Sequence, residues 1–231
     1  MPSLDQQGIW EQEHSNPLVL PQMDKQDASR GVADFFTWLV QKRPHERLAG
    51  VEMGCGKGRN CLWLARQGFK MTGFDFSKNA IEEAKKRAKQ QQALAGVDFL
   101  VHDATKEWPF AGDSFDFGID CFASTDIDSP RGRSFARDEF KRVLKKGGFL
   151  LVYTLSTDDE FHEQMVEQHP AGEKNSFRHP QTGKFEKIFD RSELLDFYAD
   201  FKVVEERRIE KVEEFFGQSY HCQHFWLVMQ K

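Results

Sequence analysis

The sequence has no uninterrupted apolar run of the roughly eighteen residues that a bilayer-crossing helix needs, which excludes a helical membrane span. Cysteine is scarce: Cys55, Cys61, Cys121 and Cys222 are the only four, and none forms a C-x-x-C pair, which points to reduced thiols. Basic charge is not in excess. The formal net charge is −5, with 32 Lys and Arg set against 37 Asp and Glu, and the two signs are mixed along the chain. The run Glu82 to Lys89 reads as a solvent-facing helix with acid placed before base rather than as a nucleic-acid patch. The amino terminus lacks a basic segment followed by an apolar core, so no secretory signal is expected and a cytoplasmic location is. Internal repeats and low-complexity tracts are absent as well. At 231 residues the chain is long enough for one full α/β core and little more.

What is present is concentrated near the first quarter of the chain. Val51-Glu52-Met53-Gly54-Cys55-Gly56-Lys57-Gly58-Arg59-Asn60 is an apolar run ending in an acid, followed by glycines at alternate positions. Glycines there let the backbone turn tightly and approach a bulky ligand. A strand-to-helix turn needs glycines for conformational reasons too, so the turn alone is weak evidence. Three further runs add to it: Lys70 to Phe74 ending at Asp75, Val97 to His102 ending at Asp103, and Phe115 to Ile119 ending at Asp120. Glu52, Asp75, Asp103 and Asp120 are thereby expected at one edge of a parallel sheet, where open α/β folds place ligands. Helices are predicted over Ser29 to Val40, Arg59 to Gln67, Asn79 to Ala93, Arg133 to Leu144 and from Asp190 to Tyr198. Val32, Phe35, Phe36, Leu39 and Val40 form the inward stripe of the first. Gly147 to Leu155 reads as a fifth strand, and Phe201 to Glu210 with Tyr220 to Met229 as a terminal antiparallel pair.

This ordered set resembles the motif series of class I S-adenosylmethionine-dependent methyltransferases over about Arg47 to Leu155. The resemblance implies a Rossmann-like α/β fold, with a mostly parallel seven-stranded sheet, helices on both faces and an antiparallel terminal strand. It implies S-adenosylmethionine as cofactor, with Glu52, Gly54, Cys55 and Gly56 around its methionine part. It implies Asp75 on the ribose hydroxyls, Phe76 on the adenine face and Asp103 with Ala104 on the adenine edge. Asp120 and Cys121 would then lie near the transferable methyl. The glycine turn and the terminal Phe225 to Lys231 are also similar to small bacterial enzymes of the tellurite-resistance and thiopurine type.

A dinucleotide dehydrogenase is the rival, but its G-x-G-x-x-G places a third glycine where Arg59 stands. A non-catalytic S-adenosylmethionine sensor or regulatory subunit is the alternative from another class. The Asn-Pro-Pro-Tyr type motif of many nucleic-acid methylating enzymes is replaced by Asp120-Cys121-Phe122-Ala123, which favours a small-molecule acceptor with no nucleic-acid or membrane partner. The reaction expected is an in-line displacement in which positioning supplies most of the acceleration. Where the acceptor must lose a proton, Asp120, His224 or Tyr220 are the candidate bases. Trp10, Phe122 and Arg178 are the candidate substrate contacts.

Organisation is expected as a single domain: an amino-terminal lid and helix over 1–45, a cofactor core over 46–155, a substrate-side insertion over 156–190 and a terminal helix and hairpin over 191–231. Residues 1–27 read as polar and irregular, with Trp10, His14 and Pro17 to Pro21 as a possible lid. Asp158 to Phe189, with His162, His169, Arg178 and His179, reads as a loop; both segments are either solvated surface or recognition elements. Phe110, Phe122, Phe161 and Phe177 are placed in loops near the cofactor edge, which would suit an apolar or aromatic acceptor. His221, Cys222 and His224 invite a metal, but alternation on a strand would set His221 apart from the other two, so no metal is expected. The sequence carries no signal of oligomeric state.

Overall fold

Alternating apolar strands and amphipathic helices wind into one seven-stranded sheet. In the computed structural model, residues 5–15, 25–44, 46–92, 95–215 and 217–231 are described. The parallel part is built from β1 (Ala49–Met53), β2 (Lys70–Asp75), β3 (Val97–Val101), β4 (Phe115–Cys121) and β5 (Leu144–Leu155). The hairpin of β8 (Lys202–Phe215) and β9 (Gln218–Gln230) completes it. The spatial order is β3-β2-β1-β4-β5-β9-β8, with β9 antiparallel to β5 and β8 antiparallel to β9. The chain runs outward from β1 to β3 and then returns to β4 on the other side of β1. The crevice at the carboxyl ends of β1 and β4 is therefore the switch point where such sheets bind ligands.

One face is covered by α2 (Arg30–Lys42), α3 (Arg59–Arg66) and α4 (Lys78–Gln90). Val32, Phe35 and Leu39 of α2 pack with Leu62, Ile81 and Trp226 there, and the expected stripe residues Phe36 and Val40 lie at its margin. The other face is covered by α5 (Pro130–Val143) and α7 (Arg191–Phe197), with Phe140, Val143 and Leu194 buried against Val51, Phe74 and Leu227. The helix starts follow local chemistry. Ser77 Oγ accepts from Ala80 N at 3.1 Å, and Asp190 Oδ1 accepts from Glu193 N at 2.8 Å, each satisfying an otherwise orphaned amide.

Three departures from the sequence reading matter for the site. Residues 6–15, expected to be irregular, form α1 (Gln6–Ser15), with Ile9, Trp10, Glu13 and His14 buried. Its inward face is mixed in polarity and is recognisable only through what it docks on; Pro17 to Pro21 lie outside the described residues. The 158–189 segment, expected as a loop, contains α6 (Glu160–Gln168) and a hairpin of β6 (Ser176–Arg178) and β7 (Phe185–Lys187). Strands of three residues are too short to show a period. Together they enclose a third small core of Leu155, Phe161, Met165, Phe177 and Ile188, so Phe161 and Phe177 are packing residues, not acceptor contacts. Phe110 likewise packs on Phe74 and Phe115. The terminal hairpin is also longer than expected. β9 pairs with β5 only from His224 onward, so its first turn-side residues project beyond the carboxyl edge of the sheet.

Candidate functional site at the carboxyl edge of the sheet

The glycine turn leaves β1 with three left-handed residues, Gly54, Gly56 and Gly58, at φ of 62°, 52° and 79°. Two positions show why glycine is required. A Cβ on Gly54 would stand 2.5 Å from the Ala123 Cβ and one on Gly58 2.5 Å from the Phe99 ring; at Gly56, where a Cβ would only touch the His14 imidazole of α1 at 3.4 Å, the left-handed φ is what favours glycine. Gly56 N donates to Asp75 Oδ2 at 2.9 Å, and Ser77 N donates to Asp75 Oδ1 at 2.8 Å. Each oxygen keeps a lone pair, as vicinal hydroxyl donors would require. Asp75 is 5% exposed, and burial pushes its carboxyl up to about 6 against those two amide bonds.

Glu52 is turned under the glycine turn. It accepts from Asn60 Nδ2 at 2.7 Å and from the Cys61 thiol at 3.0 Å, and burial lifts it to about 7. Asn60 Oδ1 in turn accepts from Ser29 N, so Glu52 holds α2 and α3 in place. Burial also pushes the thiols of Cys55 and Cys61 up. Cys121 Sγ lies 3.4 Å from Ser29 Oγ on this same face. The Phe76 carbonyl accepts from Gln7 Nε2 at 3.4 Å. Asp103 Oδ1 accepts from Thr105 N and Thr105 Oγ1 in a local turn, while the Ala104 carbonyl accepts from Trp108 Nε1.

Asp120 reaches the expected edge but points to the opposite face. Its register neighbours are Met53 and Val152, both in the α5 and α7 core. Asp120 Oδ1 accepts from Ala123 N and Ser124 N, and Oδ2 accepts from the Tyr198 hydroxyl at 3.1 Å. A carboxylate spent on those donors fixes the turn after β4 and is not poised as a base. Phe122 follows at φ 62°, a left-handed conformation costing a bulky residue about 1–2 kcal/mol. It sets the ring against Tyr153 at 4.5 Å and His224 at 5.0 Å between centroids.

On this side His224 is nine-tenths or more buried, and burial, reinforced by the Lys211 and His162 charges, lowers its imidazole to about 3. Its Nδ1 is 3.2 Å from the Tyr153 hydroxyl, and Nε2 is 3.7 Å from Asp159 Oδ2. Tyr220 does not join it. Its hydroxyl donates to Gln218 Oε1 and its ring packs on Phe161, because it lies on the projecting end of the hairpin. Arg178 also falls short: its guanidinium donates to the Gly183 carbonyl at 3.1 Å and closes the loop of its own hairpin. Trp10, by contrast, lies over Lys184 Nζ at 4.9 Å. His221 is exposed while Cys222 and His224 are buried, in the alternation expected of a strand. Among the described residues no group of three metal-ligating side chains is assembled.

Residues that sequence reasoning did not single out complete the arrangement. Gln6 donates to the Asp126 and Phe185 carbonyls and accepts from Phe185 N. Glu11 takes hydrogen bonds from Ser77 Oγ, Lys78 N and Asn79 N at the start of α4, a favourable end for an anion. Between α1 and α4 a recess of about 460 Å³ opens beside His14, Lys57 and Asn79. Asp159, Lys184 and Glu186 are buried polar groups of the 158–189 segment. Asp159 three residues before His162 is a legible helix start; inward Lys184 and Glu186 leave no such trace.

Comparison with known proteins agrees with this geometry. A methyltransferase-domain family model matches residues 51–148. A demethylmenaquinone methyltransferase of Leptospira interrogans is 37% identical over 103 residues, which cover 44% of this chain and 40% of that relative. The chain thus spans well under half the length of that curated relative. A SAM-dependent methyltransferase of Methanosarcina mazei superposes with a TM-score of 0.73 at 25% identity, covering 89% of this chain and 98% of the other. TehB of Haemophilus influenzae gives a TM-score of 0.65 at 17% identity, over 96% and 66% of the two chains, a likeness of fold alone. With its glycine turn, its acidic strand ends and its sheet order, the chain has the fold of the class I S-adenosylmethionine-dependent methyltransferases, and its residues 51–148 match a methyltransferase domain of the kind whose cofactor is S-adenosylmethionine.

Proposed function

We propose that the chain transfers the methyl group of S-adenosylmethionine to a small polar acceptor bound over the ends of β4 and β5. The observation that carries this reading is Asp75, held by the amides of Gly56 and Ser77 with one lone pair left on each oxygen. In this reading Gly54, Cys55 and Gly56 pass along the cofactor, and Glu52 fixes the turn from beneath. Phe76, Asp103 and Ala104 border the adenine, and Cys121 lies near the methionine part. The bound cofactor supplies an electrophilic methyl on a sulfonium, so the protein's own task is to orient the acceptor, exclude water and dispose of any proton. Trp10, Phe122 and His224 line the acceptor side. Its Lys184, Glu186 and His162 neighbours favour a polar acceptor over an apolar one. The 1–45, 46–155, 156–190 and 191–231 divisions then act as lid, cofactor core, acceptor wall and closing hairpin of one domain.

Calorimetric titration with S-adenosylmethionine, S-adenosylhomocysteine and NAD tests this. Micromolar binding of the first two and none of NAD is expected; NAD binding alone would return the dehydrogenase.

A further inference from the structure

Asp159 sits at the junction of α6, β5 and β9 with no exposed surface. As the cap of α6 it needs one oxygen, and Asp159 Oδ1 accepts from His162 N at 3.0 Å. Its other contacts exceed that need. His162 Nδ1 lies 2.6 Å from Oδ1, Gln223 N donates to Oδ2 at 3.1 Å, and His224 Nε2 faces Oδ2 at 3.7 Å. On the far side His162 Nε2 stands 3.7 Å from Glu186 Oε2, and Glu186 is paired with Lys184. At the near end the Tyr153 hydroxyl meets His224 Nδ1 at 3.2 Å, beneath the Phe122 ring. A file of polar groups, interrupted at two places, thus runs from Tyr153 near the end of β5 to the Lys184 ammonium. Its two separations of 3.7 Å are too long for hydrogen bonds as they stand, and catalytic bonds of this kind tighten when the site is loaded.

We propose, resting on the methyl-transfer reading above, that Tyr153 and His224 form a proton-accepting pair oriented by Asp159 and His162, and that the acceptor is an alcohol or phenol whose oxygen must lose its proton. The oxygen's lone pair forms the bond to the methyl carbon while the carbon–sulfur bond breaks with its pair going to sulfur. The acceptor proton passes to the Tyr153 oxygen, and the tyrosine's own proton passes to His224 Nδ1. The resulting imidazolium is balanced by the Asp159 carboxylate, which the His162 Nδ1–H holds in place. Tyr153 touches the acceptor; Asp159 is a positioning residue that holds both imidazoles. The charged groups facing this cluster are Lys211 and Glu213 from β8, Arg30 and Asp34 from α2, Glu186 from β7 with Lys184 just before it, and Asp126 from the turn after β4.

The test uses Asp159→Asn, which keeps a capping oxygen for His162 N but removes the charge, and Tyr153→Phe, which keeps the ring. Both variants should bind S-adenosylhomocysteine within about twofold of wild type; loss of that binding in wild type itself would instead sink the cofactor reading. Against a panel of phenols and alcohols kcat should fall at least ~100-fold at unchanged KM. The loss should shrink as the pH rises toward the acceptor's own pKa. Transfer to thiophenolates, which carry no proton, should be unaffected. Equal loss on oxygen and sulfur acceptors, or no loss on either, would overturn the pair. Nitrogen-15 NMR of the imidazoles decides without any acceptor. Asp159→Asn should shift the tautomer and titration of His162 and His224 together, and two unshifted, independent titrations would overturn it.

Discussion

On the cofactor side of the pocket Glu52 and Asp75 are buried against neutral donors, the Asn60 amide, the Cys61 thiol and two backbone amides, so burial wins and both carboxyls are lifted. On the acceptor side burial also pushes Asp159 and Glu186 upward. There it is outweighed, by His162 for the first and Lys184 for the second, and both carboxyls lie below their ordinary values. The same desolvation therefore gives a half kept near neutrality and a half built from opposed charges. A neutral-donor cradle suits a ligand that brings its own positive charge; an internally balanced one suits a ligand that brings none.

The largest effect expected in this comparison comes from Gly54→Val. It would force a branched residue into φ 62° and drive its Cβ into Ala123, a loss of about 2–5 kcal/mol from strain and overpacking together. Urea unfolding should show it, and Ala123→Gly should restore the packing share but not the strain. Full recovery in the double variant would mean that conformation is not what glycine supplies there.

Next come two substitutions with opposite pH signatures. Glu52, lifted to about 7 from 4.5, binds a proton in the fold that it has already lost when unfolded, so its contribution declines as pH rises from about 4.5 to 7. Glu52→Gln should therefore gain on wild type by on the order of 3 kcal/mol across that window. His224, lowered to about 3 from 6.5, stays neutral in the fold while the unfolded chain takes up a proton. Its contribution is whole above pH 6.5 and is lost as pH falls toward 3. His224→Gln should gain on wild type in that direction. Unfolding midpoints measured from pH 4 to 8 give both curves, and slopes of the same sign would erase the distinction between the halves.

Asp75→Ala should weaken S-adenosylhomocysteine by about 1–3 kcal/mol in calorimetry while leaving the imidazole titrations of the acceptor half unchanged. The smallest effect belongs to Arg178→Ala, whose guanidinium closes its own hairpin. Stability within about 0.5 kcal/mol of wild type and unaltered cofactor affinity are expected.

The cofactor half was legible because its determinants are local. Gly54, Gly56 and Gly58 take left-handed φ, a demand set within the turn itself, and Asp75 ends a strand that can be read from Met71 to Phe74. Asp120 shows the limit of such reading. Its position at the edge follows from strand length, but its face depends on the register with Met53 and Val152, which no local pattern encodes. Trp10, Phe122 and His224 stand out in the sequence as aromatic and imidazole residues, whereas the cap Asp159 is joined to Glu186 and Lys184 only through His162, across 25 residues or more of chain. Tyr220 and Arg178 were misplaced for a related reason. Tyr220 lies on the projecting end of the long β9, and Arg178 is turned back onto its own hairpin loop.

Helix α1 spans both halves. Through Gln6 it is fastened to the turn after β4 and to β7, and through Glu11 to the start of α4, while His14 lies over Gly56. A single rigid beam resting on two supports cannot settle on one without shifting its load on the other. Whichever ligand first rearranges those contacts alters the fit of the second, and thermodynamic reciprocity then obliges the second to alter the first by the same factor. On the function proposed above, cofactor and acceptor affinities would be one linked quantity, joined through ten residues that neither strand order nor the glycine turn would single out.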